Sequence, residues 1–123
     1  MVERRKSIVA RAVGNVVAVY FTDSKIVEEM QIKWLGVELY DIVEKQSRSS
    51  ILINFQNVER FSTALLGKLV GLKKKAVEAD GTVKLCCIPP GVMEIFTVTG
   101  LDAAFEIFDD EETAIKSFGP ALA

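Results

Sequence analysis

The sequence predicts an α/β fold, a mixed and mostly parallel β-sheet that opens with an N-terminal hairpin and carries about four helices packed on it. Three observations predict it. Short β-branched runs alternate along the chain with segments of helical spacing. The first two runs are separated by only two residues, Gly14-Asn15. The run Ile51-Leu52-Ile53-Asn54-Phe55 is nearly all apolar, as a strand covered on both faces must be. With 123 residues, half of them apolar, the chain suits a single domain, its core expected over about residues 7–118.

The elements follow in order. Ile8 to Val13 and Val16 to Phe21 flank the Gly-Asn turn and read as an antiparallel hairpin. From about Val27 to Glu44 the spacing becomes helical. Ile32, Leu35, Leu39, Ile42 and Val43 share one face, and Glu28, Lys33 and Asp41 are left for solvent. Met30 and Trp34 in this segment are expected to pack in the core, with a place on a partner surface as the alternative. The Ser-Arg-Ser-Ser loop at 47–50 ends it, and the apolar strand and a polar loop follow. A second helix starts near Ser62-Thr63, buries Leu65, Leu69, Leu72 and Ala76, and stops at Asp80-Gly81. Lys73, Lys74 and Lys75 suit its negative C-terminal end and are expected to be solvated. Gly67 and Gly71, four apart inside it, are expected to permit close packing. Val83 to Ile88 is the next strand. Pro89-Pro90 opens a third helix, which ends at Gly100. Phe105 to Phe108 is a last short strand, and Asp109-Asp110 is placed to cap a final helix through Phe118.

Composition excludes several function classes. Fifteen Lys and Arg against 17 Asp and Glu give a net charge of −2, which does not suit a nucleic-acid binder. Cys86 and Cys87 are adjacent in a predicted strand, so their side chains should point apart, and both read as small reduced core residues. The N-terminal stretch from Met1 to Lys6 is charged and lacks the apolar segment of a signal peptide, and no run approaches the ~18 apolar residues of a membrane span. The expected location is the cytoplasm, with no membrane insertion. There is no His, no metal-ligand spacing, no Gly-rich phosphate loop, no nucleophile elbow and no Cys-x-x-Cys. No catalytic residue, metal or cofactor is therefore expected, and the chain does not read as an enzyme. A phosphate-accepting receiver domain fails too, because the strand ending in Asn54-Phe55-Gln56-Asn57 supplies no acceptor Asp.

What remains is the junction Val58-Glu59-Arg60-Phe61-Ser62-Thr63-Ala64-Leu65-Leu66-Gly67-Lys68-Leu69. Ser62 and Thr63 are an ordinary helix start, where a hydroxyl accepts a bond from an unpaired backbone N–H. The same position suits a phosphate, because free N–H groups and the positive end of the helix dipole stabilise added negative charge. A small anionic ligand or a nucleotide at this helix start is a further reading of the same residues.

Three stretches resemble the STAS domain, shared by anti-sigma factor antagonists and some anion transporters. They are Ile51 to Val58, Ser62 to Leu69, and Val98-Thr99-Gly100-Leu101-Asp102 with Phe105 to Phe108 and Glu111 to Ala114. The likeness spans most of residues 7–118. It implies that the family's phosphorylated hydroxyl falls on Thr63, with Ser62 as the alternative, and that the family's Asp after the second strand falls on Asp23. Ser62 stands where the family has Asp, Ala64 where it has a second Ser, and Leu65 where it has Gly, while Leu66 and Gly67 match. The resemblance further implies a partner-binding surface of Asp23, Ser62, Thr63, Ala64, Leu65 and Leu66, and an anti-sigma factor or serine/threonine kinase as partner, with a phosphatase to reverse the cycle. The alternative it allows is a non-phosphorylated scaffold subunit of a stress-signalling or transport complex.

Overall fold

The computed structural model describes residues 6–119; of the N-terminal stretch read above, residues 1–5 lie outside the described residues. Its strands are β1 (Ile8–Val13), β2 (Val16–Phe21), β3 (Lys25–Ile26), β4 (Ser50–Asn54), β5 (Arg60–Phe61), β6 (Thr82–Cys86) and β7 (Ile107–Phe108). Its helices are α1 (Glu29–Glu44), α2 (Ala64–Glu78), α3 (Pro90–Thr99) and α4 (Glu111–Ser117), with a 3-10 turn at Leu101–Ala103. Five strands form one sheet in the order β1-β2-β4-β6-β7. The β1–β2 pair is antiparallel and every other neighbour is parallel, as the sequence predicts. Gly14 opens the hairpin turn at φ 62°, a left-handed conformation that residues with a Cβ avoid.

The central strand β4 is buried on both faces by different partners. Ile51, Ile53 and Phe55 belong to the main core together with Leu35 and Leu39 of α1, Leu65, Leu69 and Leu72 of α2, and Val92 and Phe96 of α3. Leu52 faces the other way, into a smaller cluster with Val16, Cys86 and Ala114 of α4. Three helices therefore cover one face and α4 covers the other. At the C-terminal end of α3, Gly100 adopts φ 78°, the left-handed cap that the sequence marks. Asp110 caps α4 by accepting a bond from the Thr113 N–H at 2.8 Å, and this bond holds its carboxyl below the usual range.

Several expectations need correction. Met30 and Trp34 are 56% and 37% exposed, because they lie on the side of α1 away from Ile32, Leu35, Leu39 and Ile42. Of the two glycines in α2, only Gly71 has a packing reason, since a Cβ there would collide with the Tyr40 hydroxyl, whereas a Cβ at Gly67 meets open space. Lys73 donates to the Ala104 carbonyl and lies 5.2 Å from the Phe105 ring. Lys75 pairs with Glu44 at 2.6 Å, so the lysine run is more than a solvated helix end. Strand β6 stops at Cys86. Cys87 beyond it takes φ 58°, which turns its side chain onto the same small cluster as Cys86 instead of the opposite face. Burial raises the Cys86 thiol's pKa, and the neighbouring Cys87 adds to the effect. Phe105 is a buried core residue ahead of β7 and not part of the strand.

Candidate functional site

The candidate site is built at the C-terminal ends of β2 and β4, where two loops are tied into a miniature sheet. Strands β3 and β5 are two residues each and run parallel, with Lys25 opposite Arg60 and Ile26 opposite Phe61. Such short pieces have no periodicity to read, and the sequence gives only a polar loop there. Ser24 accepts backbone bonds from Glu59 at 2.8 Å and Arg60 at 3.2 Å, and the Ile26 carbonyl accepts from the Ser62 N–H at 2.9 Å. Alternation then buries Ile26 and Phe61 and exposes Lys25 and Arg60. The Phe61 ring lies 6.3 Å from Phe55 and 5.8 Å from Phe96, inside an aromatic cluster that fixes the loop to the core.

Helix α2 starts immediately after this anchor. The Ser62 hydroxyl accepts a bond from the Ala64 N–H at 3.2 Å and is half-buried. Thr63 is the N-cap residue, yet its side chain makes no cap hydrogen bond and it is exposed. The two adjacent hydroxyls therefore have different situations: Ser62 closes the helix end and Thr63 stands out from it. Ala64 is exposed beside them. Leu65 and Leu66, which the resemblance also places on the contact surface, are 0% and 4% exposed. Their side chains anchor the corner to the core, and Ser62, Thr63 and Ala64 are the residues the corner turns outward.

Asp23 reaches this corner only indirectly. It is half-buried in the loop after β2, and accepts a 3.0 Å bond from the Gln31 amide of α1. The same amide donates to the Lys25 carbonyl at 2.8 Å, and the Gln31 side-chain oxygen accepts from the N–H groups of Val27 and Glu28 at 3.0 and 3.3 Å. Gln31 thus locks the Asp23 loop, the β3 strand and the start of α1 together, a role no sequence signal announces. An open groove of about 540 Å³ runs between the starts of α1 and α2, bordered by Val27, Met30, Lys33, Ser62, Ala64 and Lys68. A second, of about 310 Å³, lies on the other side of the corner between Thr63 and Glu94, Ile95, Val98 and Thr99 of α3.

Chemically, the corner offers an exposed hydroxyl at a helix N-terminus, flanked by mobile-length cations on Lys25, Arg60, Lys33 and Lys68 and by apolar surface. Among the described residues, no group of three or more Cys, Asp or Glu is placed to hold a metal, and no helix is long and apolar enough to cross a membrane. Asn54, at the position where a receiver domain would need its acceptor, is structural: it accepts from the Gln56 N–H at 2.8 Å and donates to Glu111 at 3.3 Å.

Comparisons with known proteins agree with this architecture. A candidate anti-sigma factor antagonist of Bordetella bronchiseptica, BtrV, is 26% identical over 97 residues, covering 79% of this chain and 83% of the relative. The structure of the anti-sigma factor antagonist SpoIIAA in its unphosphorylated form superposes with a TM-score of 0.76 at 15% identity, over 89% of this chain and 94% of SpoIIAA. SpoIIAA, described as a Bacillus cell fate determinant, superposes in its phosphorylated form with a TM-score of 0.69 at 14% identity, over 89% of this chain and 97% of that one. The family model of the STAS domain matches residues 10–114, nearly the whole described chain, and the protein belongs to the STAS domain family.

Proposed function

We propose that this protein is an anti-sigma factor antagonist, a cytoplasmic binding switch and not a catalyst, that docks the Ser62–Ala64 corner on an anti-sigma factor with serine/threonine kinase activity. The observation that carries the reading is the exposed Thr63 hydroxyl at the start of α2, uninvolved in capping and bordering the groove along α3, while its neighbours Ser62 and Ala64 border the groove along α1. Unphosphorylated, the corner presents Ala64, the apolar groove walls and a small hydroxyl to the partner, and Asp23 flanks it through the β3–β5 tie. A phosphate on Thr63 is favoured by the helix end that carries it, yet it brings about two negative charges and a tight hydration shell into the contact. Desolvating that group costs more than the interface returns, so the partner is released. A phosphatase would restore binding.

Thr63 is favoured over Ser62 as the modified residue because the Ser62 hydroxyl is already the acceptor for Ala64. Support also comes from the relatives, two of which are described as an antagonist or a candidate for one. The test is calorimetric titration with an anti-sigma factor kinase from the same organism. Thr63→Glu should bind at least tenfold more weakly than wild type while Thr63→Ala binds; equal binding by all three rejects docking at this corner.

One observation favours a second reading, a constitutive scaffold subunit. Ser62 replaces the family's Asp, and its side chain serves the helix cap instead of presenting a carboxylate. A large stable assembly whose size is unchanged by Thr63→Glu would select the scaffold.

A further inference from the structure

We propose that β1 is an association edge, on which a second copy of this chain adds its own β1 antiparallel and extends the five-stranded sheet across a two-fold axis. The two ends of the sheet differ in how they meet solvent. The β7 end is two residues long and is followed at once by Asp109, Asp110 and α4. The β1 end is six residues long, and among the described residues β1 pairs with β2 alone. A free edge of this length presents a row of backbone N–H and C=O groups, and monomeric proteins usually block it with Pro, Lys, a bulge or a covering loop. Ile8–Val13 has no Pro and no Lys, and it pairs with β2 without a bulge.

Its single charge, Arg11, is drawn away from the edge. The guanidinium donates to Glu111 of α4 at 3.1 Å and to the Tyr20 hydroxyl at 3.1 Å, over the face of its own sheet. Of the remaining side chains at the edge, Ile8 is buried and Val13 half-buried, while Val9 at 55%, Ala10 and Ala12 are small or apolar and exposed. Among the described residues no strand lies on their open side.

The edge is also held straight at both ends. The Ser7 N–H donates to both oxygens of Glu38 at 3.0 Å, and the Ser7 carbonyl accepts from Thr22 at 3.1 Å. At the other end Arg48 donates to the Gly14 carbonyl at 3.3 Å. A pre-organised strand loses little further freedom on pairing.

The chemistry selects the register. A two-fold axis normal to the sheet must pass through a residue, so that paired side chains share a face. Centring on Arg11 would set two like charges directly opposite each other, which is destabilising. Centring on Ala10 pairs Ala10 with itself, Val9 with the Arg11 stem of the second copy, and Ile8 with Ala12, with no like charges opposed.

The test is sedimentation equilibrium of the purified chain over a concentration series, with circular dichroism as the control for folding. Wild type should show a concentration-dependent monomer–dimer equilibrium. Ala10→Lys, at an exposed position, should raise the dissociation constant at least tenfold with an unchanged spectrum, and Ala12→Lys should do the same from a second position. Val98→Lys, remote on α3, should leave it unchanged. A wild type that stays monomeric up to about 1 mM overturns the proposal, as does a dimer indifferent to both β1 substitutions.

Discussion

The two faces of the sheet are held by different physics. On the face covered by α1, α2 and α3, side chains from every strand, β7 through the half-buried Ile107, meet aliphatic helix stripes, and the end nearest the candidate site is filled by Phe21, Phe55, Phe61 and Phe96. On the face covered by α4, four fully buried residues make a thin apolar patch, and polar groups do much of the fastening. Lys84 is 7% exposed, and its ammonium donates to the carbonyl and hydroxyl of Ser117 at 3.0 Å, pairs with Glu106 at 3.1 Å, and lies 4.7 Å from the Phe118 ring. At the other end of α4, Glu111 takes bonds from Arg11, Tyr20 and Asn54. A face held by apolar area tolerates conservative swaps and degrades gradually. A face held by paired polar groups tolerates them poorly, because removing one partner strands the other out of water.

The largest test of this contrast is Phe55→Ala. The ring is fully buried and touches three other aromatics, so chemical unfolding should show a loss of about 3–5 kcal/mol. Because Phe61 packs on Phe55, the same variant should loosen the corner and speed hydrogen exchange of the first α2 amides. A loss below about 1 kcal/mol would mean the aromatic cluster does not carry the main face.

Lys84→Met comes next. It keeps the apolar stem and deletes the ammonium, leaving the Ser117 carbonyl without its partner, and should cost about 1–3 kcal/mol. A stabilised variant would show that apolar area suffices on this face too, and the contrast would fall.

The smallest effect is read by pH. Tyr20 is pushed up to about 12, first by burial and then by its bond to Glu111, and burial also raises Tyr40. A phenol whose folded pKa is raised contributes stability that is fully present below its unfolded value of about 10 and is lost as pH climbs through about 12. Absorbance titration should therefore find both tyrosines ionising late, with α4 loosening in the same window. Glu111→Gln should bring the Tyr20 transition down while leaving that of Tyr40 in place.

The same contrast explains what was legible in the sequence. The main face announces itself through spacing: Ile32, Leu35, Leu39 and Ile42 in α1, and Leu65, Leu69, Leu72 and Ala76 in α2, are all buried as predicted. The polar face gives no such signal. Tyr20, Asn54 and Glu111 lie on three separate elements, and nothing local distinguishes them from surface residues until the fold joins them. The Ser7–Glu38 clamp and the Gln31 tie are invisible for the same reason. At the site, the junction itself was readable, since a hydroxyl pair precedes an apolar helical stripe. The division of labour between Ser62 and Thr63 was not, because it depends on which hydroxyl the Ala64 N–H meets. Leu65, as the apolar stripe predicts, and Leu66 are buried because their side of α2 is turned to the core, whereas motif likeness only ranks positions along the chain.

The proposal divides the two hydroxyls: Thr63 is the switch, and Ser62 closes the helix end through the Ala64 N–H. Incubation with ATP and an anti-sigma factor kinase from the same organism, followed by phosphate mapping by mass spectrometry, decides it. A single phosphate on Thr63, retained in Ser62→Ala and absent from Thr63→Ala, is expected; phosphate on Ser62, or on neither residue, would overturn the assignment of Thr63 as the switch.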